Sequence, residues 1–330
     1  MNDTHASLPS GPAGAGPWPY GPMTFGQVLD RIFGLLRRGF WPFVGIASVP
    51  AAGAFLLYAA MMAVMLANRN AFIQVPPFPD AFIRLIFEIS LAATLPLAAI
   101  FAIYAAAASW AATQADLGVK AGFREAYGIA LRRAGRYLGL MALIAAIAAA
   151  PMMLIEFGMF GSIVPLASGQ GVPNFGLFAL FPVGILLSMV WGILVGLRLA
   201  LAFPASVVED LPIWAAIKRS NQLAKGAKGR IFLVLLVLYA ATYAAFLVFA
   251  LALLLIAGLI MLVAVALHLH MVPWGFVLAG IAGIVFIGGI FLFYALTWSA
   301  YTTALAVLYH DQRRREAVMT LPAQPSGEPA

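Results

Sequence analysis

Cysteine is absent from the 330 residues, which excludes disulfides, thiolate catalysis and thiolate metal sites. Charge is scarce as well. Asp, Glu, Lys and Arg make up 9% of the chain, against about 25% in soluble domains. No P-loop, dinucleotide fingerprint, nucleophile elbow or pair of neighbouring catalytic carboxylates occurs. The reading therefore assigns no catalytic residue, no cofactor, no metal and no nucleic-acid partner. The N-terminal MNDTHASLPSGPAGAGPWPYGP lacks a basic stretch leading into an apolar one, so it is not a cleaved signal peptide. Rich in Gly, Pro and Ala, residues 1–22 read as a disordered tail, and 317–330 as a second one.

What is abundant is apolar surface. Hydrophobic residues make up 64% of the sequence and the mean hydropathy is +0.99, which marks an integral membrane protein. Six apolar runs follow, at about 41–67, 81–112, 137–160, 176–203, 231–267 and 272–309. The last two exceed a bilayer: 37 residues of helix rise about 55 Å against a core of about 30 Å. In the sixth, Trp274 and Trp298 bracket one crossing, so SAYTTALAVLYHD is expected to run beyond the membrane as helix. Its Ala300, Thr303 and Ala304 are small enough for close packing. Residues 111–117 are likewise expected to carry the second span into water.

Polar sequence is concentrated before the odd-numbered spans. Thr24 and Gln27 have capping-box spacing. Behind them Gln27, Asp30, Arg31, Gly34, Arg37 and Arg38 share one arc of a helix, and Phe25, Val28, Leu29, Ile32, Leu35 and Leu36 the other. Such a helix either lies in the membrane interface or packs on the rest of the protein. Residues 118–136 form a second copy, and 207–230, VVEDLPIWAAIKRSNQLAKGAKGR, a third. The basic pairs Arg37-Arg38, Arg132-Arg133 and Lys218-Arg219 align, and the span exits SVVED and AVLYHD are alike. The fold expected is an all-α polytopic membrane protein: six transmembrane helices as three hairpins, each preceded by an amphipathic cytoplasmic-face helix. Residues 23–316 form the single membrane domain, with parallel repeats at about 24–112, 118–203 and 210–309.

Orientation follows from the basic residues. Of nineteen Lys and Arg, Arg69 and Arg84 lie on one side and Arg198 in a span, leaving sixteen on the other. The positive-inside rule makes that side cytoplasmic, both termini included.

The candidate site residues are few. Glu209 and Asp210 read as caps of the third surface helix, and Lys218, Arg219, Lys225 and Lys228 as charges at its opposite end. The alternative is a phosphate or lipid-headgroup clamp of Glu209, Lys218, Arg219 and Arg198. Arg198 either snorkels to the interface or pairs with Glu209. Inside the spans, Glu88 stands four residues after Arg84 and is explained by that ion pair. Glu156 has no local partner and is a functional candidate. His268 and His270, two apart, diverge too far for a helical zinc pair.

Three segments, TFGQVLDRIFGLLRRGFWPFVGIASVP, VVEDLPIWAAIKRSNQLAKGAKGRIFLV and ALAVLYHDQRRREAV, resemble the bacterial glycerophosphoryl diester phosphodiesterase membrane-domain family over about residues 24–316. The elbow carries the resemblance in Glu209, Ala216, Lys218, Arg219, Ser220, Lys225 and Gly226. Asn221 stands where members often have an aromatic residue. The resemblance implies a polytopic domain that in some proteins precedes a soluble phosphodiesterase barrel. No such barrel is in this sequence, so a non-enzymatic role is expected: a scaffold binding lipids or a partner at the cytoplasmic face of the bacterial inner membrane. Expected partners are anionic headgroups, a membrane protein or a second copy. A transporter for a small solute or lipid is the alternative, and an intramembrane lipid hydrolase a third reading.

Overall fold

The structure, a computed structural model, describes residues 22–67, 80–167, 175–266 and 271–320. The two tails (apart from residues 22 and 317–320), the loops after the first and third spans, and His268 and His270 lie outside the described residues. So do the side chains of Arg84 and Glu156.

Every regular element described is helical. The order is α1 (Phe25–Arg38), α2 (Phe40–Ala67), α3 (Asp80–Asp116), α4 (Phe123–Arg132), α5 (Ala134–Ala167), α6 (Phe175–Leu199), α7 (Ala202–Val208), α8 (Ile213–Ala224), α9 (Lys228–Ala266) and α10 (Met271–Thr320). Six of these, α2, α3, α5, α6, α9 and α10, are long and apolar enough to cross a membrane. The chain is thus an all-α protein with six membrane-spanning-capable helices. Consecutive spans pack on each other, α2 on α3, α5 on α6 and α9 on α10.

Three short helices stand where the sequence expects them. At α1 the capping box is complete: Thr24 Oγ1 accepts from Gln27 N at 3.4 Å, and Thr24 N donates to Gln27 Oε1 at 2.8 Å. The two expectations for α1 are resolved in favour of packing. Val28, Ile32 and Leu35 are buried, with Phe25, Leu29 and Leu36 packed beside them. The centre of the apolar arc is therefore covered by protein, chiefly by α10, with Phe25, Leu29 and Leu36 half-buried at its edges.

The last helix is the post around which the polar end is built. Unbroken over 50 residues, it rises about 75 Å, more than twice a bilayer core. Its far half packs against α1, α2, α3, α7, α8 and α9. Ala300, Thr303 and Ala304 are all buried there. Small side chains let neighbouring backbones approach closely, and α3 uses the same device with buried Ala102, Ala106, Ala107, Ala108, Ala111 and Ala112. Residues 111–116 therefore do not run out into water as expected; they are packed against protein.

Candidate functional site

At the far end of α10 the alanines give way to Tyr309, His310 and Asp311, none of them measurably exposed. Burying such groups is costly unless each is paired, and each is.

Asp116, the last residue of α3, is 1% exposed at its side chain. Arg31 of α1 donates through Nε to its Oδ1 at 2.8 Å and through a terminal nitrogen to its backbone carbonyl at 2.6 Å. His310 Nδ1 lies 2.8 Å from its Oδ2, and Arg314 approaches the same oxygen at 3.7 Å. Asp311 faces the other way. It accepts from the backbone N–H of Met23 at 2.8 Å and pairs with Arg230 at 3.1 Å and Arg315 at 3.0 Å. Both arginines also donate to the Met23 carbonyl, so the backbone leading into α1 is clamped from two sides.

The elbow forms a third knot. Glu209 Oε1 accepts from Tyr309 at 2.5 Å and from Arg219 Nε at 3.1 Å, with Arg313 at 3.5 Å. Arg219 in turn makes a two-pronged pair with Glu316, at 2.8 and 2.6 Å. Those bonds to Glu316, with Glu209 adding to them, hold the Arg219 proton more tightly than in an ordinary arginine. The expected capping role of Glu209 and Asp210 is corrected here. Helix α8 starts at Ile213 with Pro212 as N-cap and no side-chain cap bond. Glu209 is instead the C-cap of α7. A carboxylate is unfavourable at that end of a helix dipole, and the cations of Arg219 and Arg313 offset it.

Asp210 makes the fourth. Its φ of 55° is one that Asp tolerates better than most residues. The turn aims its carboxylate at Arg136, 2.6 Å away, and at Arg133. Arg136 also donates to the Ser206 carbonyl and the Tyr137 hydroxyl. Asp210→Ala is expected to lower the melting temperature more than Asp210→Gly, although both remove the ion pairs. Glycine relieves the left-handed backbone that alanine would hold at a cost of about 1 kcal/mol. Equal melting temperatures for the two variants would contradict this.

A pattern emerges that the sequence only half displays. Each even-numbered span is followed by a carboxylate that binds an arginine placed before the preceding odd-numbered span: Asp116 to Arg31, Asp210 to Arg136, and Asp311 to Arg230. The likeness of SVVED and AVLYHD extends to ATQAD at 112–116, a signal that was there to be read. Sequence reasoning did not single out Asp116, His310 or Tyr309.

The remaining candidates are placed as follows. Glu209 and Arg219 meet, but as partners of one another. Lys218 is exposed and turned away from them. Arg198 is exposed and is not among the partners of Glu209, while its carbonyl accepts from Ser220 at 2.8 Å. The four therefore do not converge as one clamp. Glu88 is exposed. Among the described residues no set of three His, Cys, Asp or Glu side chains could hold a metal ion. Comparison with models of known families, with curated proteins and with solved structures finds no match.

Proposed function

We propose that this chain is a non-catalytic integral membrane protein of the bacterial inner membrane, with both termini cytoplasmic, whose polar end docks anionic lipid headgroups and membrane partners. The observation that carries this reading is a sorting of charge. Five acids at the polar end, Asp116, Glu209, Asp210, Asp311 and Glu316, are engaged by arginines, while Asp30 and Glu125 are exposed. Arg37, Arg38, Arg124, Arg132 and Lys218 are exposed and form no ion pair among the described residues. Exposed aromatics accompany them: Phe33, Phe40, Trp41, Phe123 and Trp214. Basic residues beside interfacial aromatics suit a negatively charged membrane surface.

Three buried hydroxyls on α3 and α10 support a structural role rather than a solute path. Thr113 donates to the Ser109 carbonyl, Thr303 to Ser299 and Ser299 to Ala295, so each is satisfied by its own helix. The resemblance to the phosphodiesterase membrane-domain family, the three-hairpin grouping and the threefold repeat belong to the same proposal. The recurrence of a carboxylate after each even-numbered span, held by an arginine placed before the preceding odd-numbered one, supports the repeat.

Two experiments test it. A chain without cysteine accepts clean reporters: in intact cells a membrane-impermeant maleimide is expected to label Gln170→Cys and not Gln222→Cys, and the reverse would overturn the orientation. Extracted with its neighbouring lipids, the protein is expected to carry phosphatidylglycerol in excess over the bulk membrane. Joint replacement of Arg37, Arg38, Arg132 and Lys218 by alanine should abolish the excess; lipid in bulk proportion around the unaltered protein would contradict the docking role.

A further inference from the structure

Helix α8 divides its faces unusually cleanly. At about 100° per residue, Ala216, Ser220, Leu223 and Ala224 form its buried side. Arg219 leaves one flank for Glu209 and Glu316. On the opposite flank Trp214, Lys218 and Asn221 fall within an arc of about 60°, Lys225 follows as the C-cap, and all four are exposed, Trp214 at 65%. None of their side chains has a hydrogen-bond or ion-pair partner among the described residues. The nearest acids in sequence, Glu209 and Asp210, are already held by Arg219 and Arg136.

The position of this flank says what it meets. Ile213, one residue before Trp214, rests on Gly139 of α5 so closely that a Cβ there would lie 2.6 Å from Ile213 Cδ1. Helix α8 also packs on α6. Among the described residues these two spans are the least covered of the six. Their outer surface is apolar, including Leu186, Leu187, Val190 and Leu194. The flank of α8 that carries Trp214 adjoins the side where Ile213 meets α5, so it continues this exposed apolar surface at the point where α5 leaves the polar end.

We propose that the Trp214, Lys218, Asn221 and Lys225 face of α8 is a docking site for anionic phospholipid, with the indole at the headgroup level and the two ammonium groups on the phosphates. It rests on the lipid-docking reading above and assigns that reading to one helix. Tryptophan is suited to the boundary because one end of its ring is apolar and the other donates a hydrogen bond. Lysine suits phosphate as a mobile point charge on a long stem. An apolar ligand would leave both ammonium groups unpaired. A polypeptide partner is the competing occupant.

A local probe separates the outcomes. The full-length protein carrying Asn221→Cys, labelled with a fluorophore, is reconstituted in phosphatidylcholine. It is then titrated with phosphatidylglycerol or phosphatidylcholine bearing a nitroxide near the top of the acyl chain. Phosphatidylglycerol is expected to quench at lower mole fraction. Lys218→Ala and Lys225→Ala are expected to weaken this preference by about fivefold each, with the melting temperature unchanged because both side chains are exposed. A second label at Phe33→Cys on α1 reports the lipid beside Arg37 and Arg38 and is expected to be indifferent to the lysine changes. Equal quenching by the two lipids at Asn221→Cys, with preference retained at Phe33→Cys, would overturn this site and leave the broader lipid-docking role. Equal quenching at both positions would overturn both. A label at Asn221→Cys quenched by neither lipid faces water and would overturn the lipid in favour of a polypeptide occupant.

Discussion

Replacing Asp116 by alanine is expected to destabilise the folded chain by about 3–5 kcal/mol, the usual cost of removing one partner from a buried ion cluster. The carboxylate is 1% exposed and serves Arg31, His310 and Arg314 together. Its loss leaves cationic groups of α1 and α10 facing each other across the gap. Asp30 supplies the control, since it is exposed and pairs with nothing among the described residues; Asp30→Ala is expected to change stability by no more than about 0.5 kcal/mol. Unfolding of the detergent-solubilised protein, followed by denaturant titration, measures both. Similar midpoints for the two variants would show that the cluster around Asp116 carries little of the fold.

A larger effect is expected from shortening the last helix. Ending the chain after Leu308 removes Tyr309, His310, Asp311, Arg313, Arg314, Arg315 and Glu316 at once. Helix α1 then loses two of the contacts that clamp Met23, those of Asp311 and Arg315, α3 loses His310, and α8 loses the two-pronged bond from Arg219 to Glu316. The span pairs α2 with α3 and α5 with α6 keep the contacts between their apolar lengths. Their insertion is expected to survive while the short helices detach, leaving α1 and α8 open to limited proteolysis. Ending the chain after Thr320 instead is expected to leave the proteolysis pattern unchanged. If the chain ending at Leu308 resisted protease as well as the full chain, the post-like role of α10 would be wrong.

The sequence displays the parts that are encoded locally and hides those that are not. Apolar runs, the T-x-x-Q box and the two arcs of α1 are properties of neighbouring residues, and the spans and short helices they indicate are present. The extra length of the last run announced a helix beyond the membrane, and its alanines announced close packing. Partner choice is another matter. Arg31 and Asp116 are 85 residues apart, Asp116 and His310 are 194 apart, and Met23 and Asp311 are 288 apart; nothing near either residue specifies the other.

Local logic also misled where two local explanations competed. Glu209 before a helix reads as a cap, but Leu211 and Pro212 intervene, and the carboxylate turns to Tyr309 and Arg219. Residues 111–116 follow an apolar run toward a polar end, which reads as helix entering water. Their alanines were the sign of a packed surface. The surface helices read as ambiguous between membrane and protein because an apolar arc fits both. For α1 the answer depends on α10, which lies at the other end of the chain.

The central claim is that Asp116 and Asp311 are turned inward and occupied by arginines, while the basic residues left over are turned outward toward lipid. Chemical footprinting of the intact protein, read by mass spectrometry, tests this most directly. A carbodiimide with an amine nucleophile is expected to leave Asp116 and Asp311 unmodified and to modify the exposed Asp30 and Glu125. An amine-acetylating reagent is expected to modify Lys218 and Lys225 in detergent, and to lose access to them when the protein sits in a bilayer containing phosphatidylglycerol. Modification of Asp116 or Asp311 at the rate of Asp30, or lysines whose reactivity ignores the lipid, would contradict the account.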